Sequence, residues 1–298
     1  MMNNFLFVNF LRCTFFVHVI CFSYCFSQED RTYFLYNSYQ VGDSIYIGIE
    51  GPLRSFPSRS SKIIKNLSVG DKVYYLGWGP REEVKRETIY GIDAEFICVE
   101  FLIDGNYETG YIWGGLLAQV DAFDSKNNQY LYSFKNFNSK DGTMDLRLTR
   151  IDASSKSIYH QNFIDTIGYE QHKVGKILGP MGLSNVQSIF RVGYLGEACG
   201  ILTIYNYYAW NGKEFIQLPS KKSVADGGVY YYAETLQFPT EHKYGNDLII
   251  ITSEEMEAEE IVFEGVADAW FTNAVTTSRT SVYKWTGKGY HKLHQIEE

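Results

Sequence analysis

The sequence predicts an all-β fold, on three observations. Aromatic residues make up 16% of its 298 residues, with 24 Tyr and 20 Phe, and such side chains suit the half-buried pleated surface of a sheet. Short runs alternate at the strand period, as in Ser44-Ile45-Tyr46-Ile47-Gly48-Ile49, where Ile45, Ile47 and Ile49 share one face. Turn pairs such as Asp104-Gly105 separate such runs. The chain is longer than one small β domain needs, so two cores are expected: a small barrel over 39–118 and a larger antiparallel β domain over 130–295.

The first 27 residues read as an export signal. Met1 to Arg12 is a weakly cationic stretch, and Thr14 to Phe26 (TFFVHVICFSYCF) is a dense apolar run closed by Ser27-Gln28-Glu29-Asp30. That run is short for a bilayer span. Small residues Cys25 and Ser27 place cleavage before Gln28, with a lipid-bearing Cys25 as the alternative. No membrane span is expected once the signal is removed. Only 21% of residues are charged and the formal net charge is −8, so a strongly basic face is not expected, which argues against nucleic acid or anionic lipid as the main partner. Cys98 and Cys199 alone remain after cleavage. Two separate buried thiols are expected, with a disulfide between them as the alternative.

Strands are expected at Ser44–Ile49, Lys72–Leu76, Glu95–Leu102 and Tyr111–Trp113, with Arg81 to Glu87 (REEVKRE) an exposed, charged hairpin loop. The segments Leu53-Arg54-Ser55-Phe56-Pro57-Ser58, Ser60-Ser61-Lys62-Ile63-Ile64 and Leu67-Ser68-Val69-Gly70-Asp71-Lys72-Val73 follow one another at fixed order. With the closing Thr109-Gly110-Tyr111-Ile112-Trp113 they resemble a bacterial SH3 domain across about 75 residues. The resemblance implies a small barrel and a cell-wall or peptide ligand. Pro52 and the long charged hairpin depart from the family pattern. Each motif residue also has a local role: Pro57 fixes φ in a turn, and Ser58, Ser60 and Ser61 can bond nearby amides.

Gln119 to Gln129 (QVDAFDSKNNQ) is polar and reads as the linker. Beyond it lies an internal near-repeat. Tyr208-Ala209-Trp210-Asn211-Gly212-Lys213-Glu214-Phe215 matches Tyr283-Lys284-Trp285-Thr286-Gly287-Lys288-Gly289-Tyr290, and each copy runs on to a Leu three residues later. Each copy predicts a hairpin around an x-Gly turn. The pattern resembles the closing hairpin of FG-GAP or VCBS-type propeller blades, so a partial propeller and a β-sandwich both stand for the second domain. Tyr169 to Phe190 has some helical character, but Gly175, Gly179, Pro180 and Gly182 leave only short turns.

The constellations of common enzymes are missing: there is no Gly-x-Ser-x-Gly elbow, P-loop, dinucleotide fingerprint or HExxH pair. Cys98 sits mid-strand, and His291 and His294 fall on opposite faces of an expected strand. Glu254 to Glu260 lacks the spacing of a calcium loop and reads as a solvated acidic loop. No catalytic residue, metal or other cofactor is expected.

The binding candidates are the aromatics of the first module: Trp78 first, then Phe56, Tyr75, Tyr111 and Trp113. Rings of this kind floor grooves for peptides or sugars; the plainer expectation is that several fill the small core. The leading reading is an exported, periplasmic or extracellular, non-catalytic binding protein whose partner is cell-wall peptide or an envelope protein. The alternatives are a cell-wall hydrolase or peptidase with its active site in 130–295, and a structural or inhibitory envelope protein.

Overall fold

Apolar alternation broken by glycine turns folds the described residues into three sheets, almost wholly antiparallel. The computed structural model describes residues 32–36, 38–77, 85–103, 105–166, 172–196, 198, 200–226, 230–263 and 269–297. The expected signal segment, Trp78 and Cys199 lie outside them.

The first sheet comprises β1 (Tyr33–Phe34), β2 (Ser44–Tyr46), β3 (Gly51–Arg54), β4 (Ile63–Leu67), β5 (Lys72–Gly77), β6 (Arg86–Ile89), β7 (Ile92–Ile103) and β8 (Asn106–Trp113). Its main path runs β2-β5-β7-β8-β3-β4, with β1 and β6 added beside β7. Gly105, at φ +84°, turns the chain between the paired Ile103 and Asn106. The path is open at both ends, which corrects the expected closed barrel. The ladder of β2 stops at Tyr46 because Gly48 and Ile49 both donate to the Leu116 carbonyl and Ile47 meets Leu117 by a single bridge.

Strand β7 explains how the first sheet joins the rest. Its Ile97, Val99 and Phe101 bury into a core with Ile45, Ile47, Leu53, Leu67, Val73 and Tyr75. Its Ile92, Ala94 and Phe96 face the other way, as strand alternation requires, and enter a larger core with residues of the second and third sheets. The two modules therefore share apolar packing.

The second sheet holds β9 (Val120–Phe123), β10 (Gln129–Asn138), β11 (Thr143–Ile151) and β12 (Ile158–Asp165), in the order β12-β11-β10-β9. The stretch expected as a linker thus contains a strand, and its Val120 lies in the larger core.

The third sheet runs β13 (His172–Leu178), β14 (Ser188–Leu195), β15 (Thr203–Trp210), β16 (Phe215–Gln217), β17 (Lys221–Asp226), β18 (Tyr230–Gln237), β19 (Leu248–Phe263), β20 (Ala269–Trp285) and β21 (Tyr290–Glu297). All lie on one path in chain order except β16, which pairs with β15. Both repeat copies form hairpins, β15–β16 and β20–β21. Gly212 and Gly287 adopt φ of +98° and +83° in their turns, and Trp210 and Trp285 are fully buried.

Two expectations on this sheet are overturned. Of the stretch 169–190, the described residues from His172 form β13 and the start of β14, which pair antiparallel with Ile177 opposite Phe190 and Leu178 opposite Ile189. The acidic run lies within β19 and pairs with the Ser/Thr-rich β20, as in Glu255 opposite Thr277, so its glutamates belong to a strand. The second sheet packs face to face on the first strands of the third. Tyr130 meets Phe190, Tyr132 meets Tyr194 and Tyr208, Phe163 meets Tyr208, and Tyr159 meets Trp210, with ring centroids 5.3–6.3 Å apart. This facing arrangement is that of a sandwich.

Candidate functional site

The loop between β3 and β4 carries Phe56 and is braced from within. Ser55 donates its N–H to the Lys62 carbonyl at 3.0 Å. The Ser61 hydroxyl bonds the carbonyls of Phe56 and Ser58, both at 2.8 Å, and Arg54 Nη1 donates to the Ser61 carbonyl at 2.7 Å. The loop is tied sideways to β6: the Arg59 guanidinium pairs with Glu87 at 2.8 Å, and the Arg59 amide donates to the same carboxylate. Phe56 nevertheless remains 68% exposed. A large apolar ring is thus held in water by a loop that its own hydrogen bonds order.

The other sequence candidates are not assembled around it. Tyr75 is buried in the first-sheet core, where its ring meets Tyr39 at 5.8 Å. Trp113 is buried in the larger core, and its indole N–H donates to the Glu87 carbonyl at 3.0 Å, supporting the strand that anchors the Phe56 loop. Tyr111 is half-buried, paired across strands with Cys98 and Arg54; burial, followed by the Cys98 thiol, raises its pKa. Trp78 lies outside the described residues.

A second aromatic feature lies over β6, on the side opposite Glu87, because neighbouring strand residues point to opposite faces. Arg86 pairs with Asp93 and with Glu95, and donates to the carbonyls of Leu35 and Asp93. Its guanidinium carbon lies 4.9 Å from the Tyr36 ring and 6.0 Å from the Phe34 ring. Those two rings are about half exposed.

Several further titratable groups lie among the described residues. Cys98 is buried and desolvation raises its pKa, the opposite of an activated thiol. No group of three His, Cys, Asp or Glu side chains there is arranged to hold a metal. His160 bonds Thr149 at 2.9 Å, and burial followed by Arg147 lowers its pKa. Lys173 lies 5.4 Å from the Phe134 ring, and desolvation lowers its pKa to about 8.

A recess opens between the second and third sheets, lined by Asp124, Tyr130, Arg150, Asp152 and Ser188, among others. Sequence reading missed it, although β11 carries a signal: Met144, Leu146, Leu148 and Arg150 occupy alternate, buried positions, so a charge stands where the pattern calls for an apolar side chain.

Comparison of the chain with protein-family models, with curated proteins and with solved structures finds no match. Among the described residues no helix is long and apolar enough to cross a membrane.

Proposed function

We propose that this chain is an exported, non-catalytic binding protein whose first sheet recognises cell-wall peptide, with Phe56 as the leading contact. The supporting observation is the braced loop that holds Phe56 in solvent. Burying such a ring against a ligand contributes roughly 1.5–3 kcal/mol, and a loop already ordered loses little further entropy on binding. The resemblance of residues 53–73 and 109–113 to bacterial SH3 domains supports the choice of ligand, and the apolar run before Gln28 supports export. Arg59 and Glu87 set the loop against β6, and Trp78 belongs to the segment that follows β5 in the chain.

Co-sedimentation with isolated cell-wall sacculi tests this reading. The mature chain is compared with Phe56→Ala and with Tyr244→Ala, a control at a residue that is exposed on the third-sheet module. The expected result is sedimentation of the mature chain and of Tyr244→Ala, and its loss in Phe56→Ala at unchanged thermal stability. A mature chain that stays in the supernatant overturns the cell-wall reading and directs attention to a segment of an envelope protein.

A further inference from the structure

At one end of the sandwich, β9–β11 and their loops face the ends of β13 and β14 across a cleft of about 800 Å³, within the size range of small-ligand sites. Arg150 forms part of its floor with a side chain only 9% exposed. The guanidinium carbon lies 5.3 Å from the Trp210 ring and 5.9 Å from the Tyr130 ring, which fix its position. Nε donates to the Tyr130 hydroxyl at 3.2 Å and Nη2 to Asp152 at 3.3 Å. Nη1 has no hydrogen-bond partner among the described residues, yet it is not one of the polar atoms sealed from solvent without a partner. A buried guanidinium is costly unless its donors are matched, and the Nη1 donor that opens onto the cleft is available to an acceptor bound there.

The carboxylates lining the cleft already accept hydrogen bonds from the protein. Asp124 takes the amides of Lys126 and Asn128 at 2.8 and 3.0 Å on Oδ1. Its Oδ2 takes the Asn128 side chain at 2.8 Å and the Tyr130 hydroxyl at 3.4 Å. Asp152 Oδ1 takes the amides and hydroxyls of Ser154 and Ser155. The Ser188 hydroxyl is 2.8 Å from that of Tyr130. What remains unused on the floor is donor capacity. The two flanking carboxylates disfavour a multiply charged anion such as phosphate, whereas one carboxylate matches one free guanidinium nitrogen. Phe123, Ile177 and Leu178 form an apolar wall, and Ser125, Ser154 and Gln187 add groups that can bond a peptide backbone.

We propose that this cleft binds the terminal carboxylate of a short peptide with an apolar end residue, with Arg150 Nη1 donating to the carboxylate and Phe123, Ile177 and Leu178 packing on the side chain. The site shares no residue with the Phe56 surface, so each proposal stands or falls without the other.

Calorimetric titration of the whole mature chain with N-acetyl-leucyl-alanine, and with its C-terminal amide, tests the assignment. The acid is expected to bind at least about tenfold more tightly than the amide, since only the acid offers a charged acceptor. Arg150→Lys keeps the charge but loses the planar fork, and is expected to weaken acid binding about tenfold. Because Arg150 also packs against two rings, Gly179→Trp serves as a second variant. A Cβ at Gly179 meets nothing within 4 Å, so the backbone there admits a side chain, and an indole at this lining position is expected to block the cleft and abolish binding at unchanged thermal stability. The assignment is overturned by equal binding of acid and amide, by unaltered acid binding in Gly179→Trp, or by no heat from the acid at about 5 mM, beyond the range of a specific site.

Discussion

The side chain of Gln161 pairs with the backbone of Phe215 as a neighbouring strand would: its Nε2 donates to the Phe215 carbonyl at 2.8 Å, and its Oε1 accepts the Phe215 N–H at 2.7 Å. This one amide joins β12 of the second sheet to β16 of the third. Gln161→Ala leaves both backbone groups short of a partner at a partly buried position and is expected to destabilise the chain by about 1–3 kcal/mol. Urea unfolding with an unchanged m-value is the check; a change under about 0.5 kcal/mol contradicts this role.

The join between the first and second sheets depends on Gly91. Its φ is +72°, and a Cβ there would lie 2.4 Å from the Phe137 carbonyl oxygen. The neighbouring backbone closes the contact, with Phe137 N–H on the Tyr90 carbonyl and Tyr33 N–H on that of Gly91, both at 2.9 Å. Gly91→Ala is expected to cost roughly 1–3 kcal/mol in backbone strain and to raise hydrogen exchange at Tyr33 and Phe137. Unchanged exchange at both amides contradicts the account.

Trp285 is the anchor of the last hairpin. It is fully buried, and its indole donates to the Ser184 carbonyl at 2.8 Å. Trp285→Ala is expected to destabilise by about 3–5 kcal/mol, with Trp285→Phe recovering part of that loss. Thermal unfolding of the two variants measures the difference.

Lys173 gives the fold a pH dependence of definite sign. Burial lowers its pKa to about 8, against the ordinary lysine value near 10.5. Between those values the unfolded chain binds the extra proton, so this group makes stability rise with pH. The readable window is about pH 7.5–9.5, below the ordinary tyrosine range near 10. Lys173→Met is expected to be more stable than the parent at pH 7 by roughly 1–3 kcal/mol and to lose the rise across that window. Because the buried Cys98 thiol, with its raised pKa, acts in the opposite sense over the same window, the test is the difference between parent and variant: a difference that stays flat from about pH 7.5 to 9.5 contradicts this.

Local patterns were readable in the sequence, and placements that depend on distant partners were not. The Trp-x-Gly hairpins at 210 and 285 were legible because the turn glycines and flanking alternation lie within a dozen residues. The acidic run at 254–260 misled because charge density signals solvent contact, and a strand whose residues 254–257 are all exposed or only partly buried meets that requirement as well as a loop does. Val120 belongs to a core assembled from all three sheets, so the polar composition around it hid the strand. The burial of Tyr75 and Trp113, against the exposure of Phe56, depends on which face of β5 and β8 meets a core. Arg150 was visible only as a break in the alternation of β11.

The most direct test of the central claim is NMR of the chain from Gln28 onward labelled with ¹³C at phenylalanine, with Phe56→Leu used to assign the Phe56 ring. Soluble cell-wall peptide fragments are titrated into the sample. The account predicts a saturable shift of the Phe56 resonances while the buried Phe134 and Phe190 remain in place. Fragments that bind without moving Phe56, or that leave every ring unmoved, contradict it.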